Sequence, residues 1–268
     1  MFKFNLTLSA LVAFSLGVFF SQAALAGSGV GADPGDGVGI TRNDNGSLLN
    51  VTDPLRDGNL QFSLFGADGD TLLAADWNGN GTASFGVVRE DNGALLWILD
   101  EAGDGTLTYT LFGSTGDRPV VGDFDTTSPG VEIGFVRGYP AAGQLEWIVQ
   151  DGAGFRREFF GSDLDVPVPG NWDGDANNGD EFGLVRSDGD AKLWITEGTG
   201  AALDFNLFGG ALDEAIAGDW DGDGNTDFAV RLAGGDGNVL ALEGVEALEY
   251  VQIGAPSDSI VNSSSVGQ

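Results

Sequence analysis

The chain has 268 residues, with 11 Lys and Arg against 41 Asp and Glu, no His and no Cys, for a formal net charge of −30. Such a surface repels a phosphate backbone, so nucleic acid is excluded as a partner, whereas divalent cations and cationic ligands are favoured. The missing residue types also exclude histidine triads, histidine acid–base chemistry, thiol nucleophiles, thiolate metal sites and disulfides.

Met1–Lys3 is a short basic start, Leu6–Phe20 is apolar and uncharged, and Ala24-Leu25-Ala26 presents small residues for cleavage. These are the three regions of a secretory signal, predicted over residues 1–26. The apolar stretch is shorter than the roughly 20 residues that span a bilayer, so no membrane insertion is expected. The mature protein is expected outside the cell or at its surface, or in the periplasm of a Gram-negative host. Residues 27–36 read as a linker, 37–262 as one domain and 263–268 as a tail. Lys192 is the one lysine left after cleavage.

The domain is repetitive. Phe65-Gly66, Phe112-Gly113, Phe160-Gly161, Phe208-Gly209 and Ile253-Gly254 recur at intervals of 47, 48, 48 and 45 residues. Five positions after each start stands an aspartate: Asp70, Asp117, Asp165, Asp213 and Asp258. An arginine closes an apolar run in each unit: Arg42, Arg89, Arg137, Arg186 and Arg231. These arginines and aspartates are expected to pair, because a partly buried charge needs a partner. Each unit reads as four short strands separated by Gly, Asp and Asn; in the third they fall at Val166–Asn171, Glu181–Arg186, Lys192–Thr196 and Ala202–Leu207. Four strands in about 45 residues, without a sustained helical period, predict an all-β fold, a β-propeller of five four-stranded blades. Gly37–Leu64 matches the last three strands of a unit and Ile253–Val261 the first, so one blade is shared by the N- and C-termini. That closure removes the exposed sheet edges.

The fourth unit carries the fullest motif, Phe208-Gly209 followed by Asp219-Trp220-Asp221-Gly222-Asp223-Gly224-Asn225-Thr226-Asp227-Phe228-Ala229-Val230-Arg231. It resembles the FG-GAP/VCBS-type repeat of integrin α-subunit propellers and of many bacterial secreted proteins, and the likeness extends over nearly the whole mature chain. The resemblance implies a propeller that binds calcium, protein or sugar. Five units depart from the seven common in integrin-type members.

The spacing of Asp219, Asp221, Asp223 and Asp227, with Gly224 at the sharp turn and the Asn225 carbonyl nearby, places several hard oxygens around one point, as calcium (Ca2+) requires. The first complete unit keeps the spacing with Asp76, Asn78, Asn80, Thr82 and Ser84, of which one is charged, and the third has Asp173 and Asp175 before an insertion. The second unit, with Asp123 and Asp125, loses the pattern, and the split unit has only Asp33 and Asp36, so no metal is expected there. Trp77, Trp172 and Trp220, with Phe124 in the equivalent place, are expected to pack between blades, the alternative being an aromatic ring facing sugar. Trp97, Trp147 and Trp194 are expected in the core.

The expected function is a monomeric, non-catalytic, calcium-binding module for a carbohydrate or protein ligand. Two alternatives stand beside it: a glycan-active enzyme using paired carboxylates, and a structural or adhesive surface component.

Overall fold

The structure is a computed structural model that describes residues 36–234, 239–243, 248–255 and 257–262. The predicted signal, most of the linker and the tail lie outside the described residues. Short runs of alternating burial bounded by Gly and Asx turns form twenty strands in five antiparallel sheets, with the order β20-β1-β2-β3 in one sheet and four consecutive strands in each of the others. The split blade comprises β1 (Val38–Asp44), β2 (Ser47–Asp53), β3 (Gln61–Ala67) and β20 (Ser259–Asn262). The first blade is β4 (Thr71–Ala75), β5 (Ser84–Asp91), β6 (Ala94–Leu99) and β7 (Thr108–Ser114), and the second is β8 (Arg118–Gly122), β9 (Glu132–Tyr139), β10 (Gln144–Asp151) and β11 (Gly154–Phe159). The third is β12 (Val166–Pro167), β13 (Gly183–Asp188), β14 (Ala191–Gly198) and β15 (Ala202–Gly210), and the fourth is β16 (Glu214–Gly218), β17 (Asp227–Arg231), β18 (Val239–Leu242) and β19 (Glu249–Gln252). This is the predicted five-bladed propeller, shared blade included. In a complete blade the first strand is largely buried and the fourth largely exposed, so the chain runs from the inside of the ring outward.

The third unit departs from its predicted strands. Pro167 and Pro169 carry no N–H, so the first strand shrinks to Val166–Pro167 plus an isolated bridge from Gly170 to Glu181. Its second strand accordingly starts at Gly183.

Five apolar clusters hold the ring, each straddling one blade boundary. Trp97, Trp147 and Trp194 occupy the same register position in β6, β10 and β14 and are fully buried. Each faces the next blade and donates its indole N–H to a carbonyl, that of Phe112, Phe160 or Phe208. Trp147 stacks on Phe182 of the third blade with ring centroids 4.3 Å apart. Trp147→Ala is expected to cost about 3–5 kcal/mol, the usual range for emptying a large aromatic site; chemical denaturation measures it, and a cost below about 1 kcal/mol would show that the boundary collapses around the smaller residue.

The predicted ion pairs form within blades. Arg42, Arg89, Arg137 and Arg186 each engage Asp258, Asp70, Asp117 and Asp165 through Nε and Nη2 together. The same four aspartates also accept backbone N–H groups, from Ala255, Ala67, Ser114 and Ser162. The fourth unit breaks the pattern. Its Phe228-Ala229-Val230-Arg231 is one residue shorter than Phe85-Gly86-Val87-Val88-Arg89. A one-residue slip turns a strand side chain to the other face. Arg231 therefore meets Glu214 rather than Asp213, and donates to the Asp258 carbonyl of the split blade.

Loops of one blade also latch onto the next. The Asp76, Asp123, Asn171 and Asp219 carbonyls accept N–H bonds from Val131, Asp180, Thr226 and Asp36 of the following blade. Asp36, assigned to the linker from sequence, is thus held in the propeller, and its carboxylate accepts the Asp219 N–H at 2.9 Å. Asp180 does the same for Asp123 at 3.0 Å. The approach is close enough that a Cβ on Gly122 would lie 2.8 Å from the Asp180 Oδ2.

Candidate metal site and loop face

The loop between β16 and β17 is wound by aspartate hydrogen bonds. Asp219 Oδ1 accepts the N–H groups of Gly222 and Asp223, and its Oδ2 that of Gly224. Asp221 Oδ1 accepts the Asp223 N–H, and Asp227 Oδ2 the Trp220 N–H. Gly224 sits at φ +89, a conformation that favours glycine. This winding brings one oxygen from each of Asp219, Asp221 and Asp227 within 4.8 Å of one another, the one such acidic group among the described residues.

Burial is the first cause of the unusual acidity here. It pushes Asp219 up to about 6, opposed by its backbone hydrogen bonds and reinforced by Asp223 and Asp221. Burial, then the charge of Asp221, pushes Asp227 up to about 8. Three crowded, partly desolvated carboxylates suit a hard divalent cation, which prefers oxygen ligands and offsets their repulsion. Asp219, Asp221 and Asp227 therefore fit calcium.

Asp223 and Asn225 stand apart from this trio. Both Asp223 oxygens accept from Asn225, one from its backbone N–H and one from its side-chain amide. The same turn recurs in three other loops. In Asp53–Asn59, Asp76–Thr82 and Asp100–Thr106 the first residue accepts the N–H groups four and five positions on. The residue at position 5 (Asp57, Asn80 or Asp104) then accepts the N–H two further on. Asp-x-x-x-Asx-Gly is thus a turn device in its own right. Asp53 and Asp100, in loops after the third strand of their blades, carry the same signature, which the sequence reading passed over.

In the first blade, the Asp76 carboxylate and the Asn78 and Asn80 carbonyls are bonded to loop N–H groups, and Ser84 Oγ bonds the Asp100 carbonyl. Thr82 is exposed. The structure gathers no acidic group there. In the third loop, Asp173 is bonded to the Asp175 N–H and the Asn178 amide, and Asp175 to Asn177. Glu181 and, in the second loop, Glu132 take the place of Asp227. Glu132 accepts the Phe124 and Asp125 N–H groups and Glu181 those of Trp172 and Asp173. Burial pushes both up to about 7.

No family model, curated protein or solved structure matches the chain. The loop aromatics do not form a sugar-facing ring: Trp77, Phe124 and Trp220 are buried and Trp172 is half-buried, packed on Trp194 and Phe228. Asp33 lies outside the described residues.

Proposed function

We propose that this protein is a secreted, non-catalytic binding module of the FG-GAP/VCBS type, in which calcium pins the Asp219–Asp227 loop and the loop-bearing side of the propeller engages a carbohydrate or protein. The convergence of Asp219, Asp221 and Asp227 carries the calcium assignment. The five-bladed ring supports the module reading, because it holds many loops on a rigid scaffold. Calcium would be held by this trio and would supply charge neutralisation and loop rigidity. By mass action it would also stabilise the fold.

Titration calorimetry separates this site from the look-alike turns. Asp221→Ser is expected to lower calcium affinity at least tenfold. Asp57→Ser and Asp104→Ser, in loops of the same signature without a converging trio, are expected to leave it unchanged. Unaltered affinity in Asp221→Ser would sink the assignment. A glycan and polysaccharide screen, with calcium and with chelator and with a check for released products, then tests the module itself. Product release would replace it with the glycan-active alternative.

A further inference from the structure

We propose that the cleft between the split blade and the first blade is a binding site for a single uncharged sugar ring. The repeat breaks at this boundary. Where the first three blades place a tryptophan against the next blade, the split blade has Asn50, opposite Thr41 as Trp97 is opposite Val88. Asn50 is fully buried, and among the described residues neither its Nδ2 nor its Oδ1 has a hydrogen-bond partner. A buried, unpaired amide is rare in native proteins and costly. The apolar cluster at this boundary has five buried residues, fewer than any of the other four.

A cleft of about 170 Å³ opens at the same place, lined by Thr52, Gln61 and Ser63 of the split blade and Ala83, Ser84 and Phe85 of the first. Asn50 lies on the same face of β2 as Thr52, two residues along, and is the register partner of Ser63. The amide therefore sits behind the cleft, beside its polar wall. That wall offers hydroxyl and amide groups that both donate and accept, which is what a sugar's hydroxyls require. Phe85 adds an apolar surface for a ring face. An enclosed cavity of roughly 150 Å³ holds benzene, so a cleft of about 170 Å³ that opens to solvent takes at most one sugar ring with its outer hydroxyls at the mouth, and a longer glycan would place one residue here. No charged residue lines the cleft, in a chain with 41 acidic residues. Neutral sugars are thereby selected, since the net charge of −30 opposes uronates and sialates.

This inference rests on the carbohydrate arm of the proposed function, and the test keeps the two apart. Wild type, Asn50→Trp and Gln61→Ala are titrated with neutral monosaccharides, a uronate and neutral polysaccharides by ligand-observed NMR, with a thermal melt of each. Asn50→Trp installs the residue that the first three blades carry at this register position, so it is expected to keep or raise the melting temperature and to lose monosaccharide binding at least tenfold. Gln61→Ala, at the exposed mouth, is expected to weaken binding several-fold with an unchanged melt. Uronate is expected to bind at least tenfold more weakly than the neutral sugars. Undiminished monosaccharide binding in both variants, or equal uronate binding, would overturn the cleft assignment. Polysaccharide bound equally by wild type and both variants, with no monosaccharide bound by wild type, would overturn the cleft while leaving the module reading in place. No glycan bound by any of the three proteins would remove the carbohydrate arm and the cleft with it.

Discussion

Truncation after Gln252 is expected to abolish the cooperative thermal transition of the whole propeller, not merely to fray one blade. β20 supplies the innermost strand of the split blade, pairing Val38–Thr41 of β1 with Ser259–Asn262. The deleted segment also contains Ile253, buried between the fourth and split blades, and Asp258. The Asp258 side chain is 1% exposed and holds Arg42 through both carboxylate oxygens. Its backbone carbonyl accepts from Arg231 of the fourth blade. Without these, the ring has two open faces where it had one closed boundary. A graded companion is Arg42→Ala, which removes the guanidinium from a buried carboxylate that keeps the Ala255 N–H. Because the Arg42 side chain is 48% exposed, the cost falls between that of an exposed and a buried pair, about 1–3 kcal/mol, or roughly 2–12 °C for a domain of this size. Differential scanning calorimetry reads both. An unchanged transition in the truncation would mean that the four complete blades suffice.

The second large effect is on pH. In chelator, the melting temperature is expected to fall as pH rises from 5 to 8, by on the order of 10 °C. The carboxyls of Glu132 and Glu181, up to about 7, and of Asp227, up to about 8, lie above the ordinary carboxylate range. Their folded form therefore holds more protons than the unfolded form between pH about 4 and 8. Stability from these groups is fully present below the unfolded value and is lost as pH rises through the folded ones. Asp258 has the opposite sign. Burial opposes ionisation there, but the hydrogen bonds from Arg42 and Ala255 win and lower its pKa, so its contribution is lost as the medium becomes strongly acidic. Calcium favours the ionised trio, so its stabilisation is expected to grow from pH 5 to pH 8. Melts at pH 5, 6.5 and 8, in chelator and in millimolar calcium, test both statements. A flat chelator profile would show that burial does not hold these carboxyls protonated. Equal calcium stabilisation at pH 5 and 8 would mean that the ion does not bind at titrating carboxylates.

Much of the architecture was legible in the amino-acid sequence because a repeat states the same constraint five times. The Phe-Gly starts, the aspartate five residues on and the arginine were enough to count blades and to join the two ends. The exceptions arise where one unit drifts from the rest. The missing residue before Arg231 is visible on alignment, but its consequence, a reversal of side-chain facing, follows only from strand geometry. Asp36 falls in the predicted linker because its partner, the Asp219 N–H, is distant in sequence. The loop aspartates carry two meanings, turn and ligand, with one spacing. Asp57 and Asp104 resemble Asp223 in sequence and share its turn bonding. Convergence of Asp227 from the following strand marks the trio, and convergence is a property of coordinates. In sequence Asn50 is one polar residue in an apolar run, opening an Asn-Val-Thr triplet. It acquires meaning only beside Trp97, Trp147 and Trp194 in register.

The pairing of β1 with β20 also has a consequence in time. Arg42 and Asp258 are 216 positions apart, so the contact that closes the ring must wait for that whole length to be made. At 5–20 residues per second, roughly ten to forty seconds separate the emergence of the two strands. Throughout that interval the edge of β1 is a bare template without its native partner. The net charge of −30 repels other copies of the chain while that edge waits.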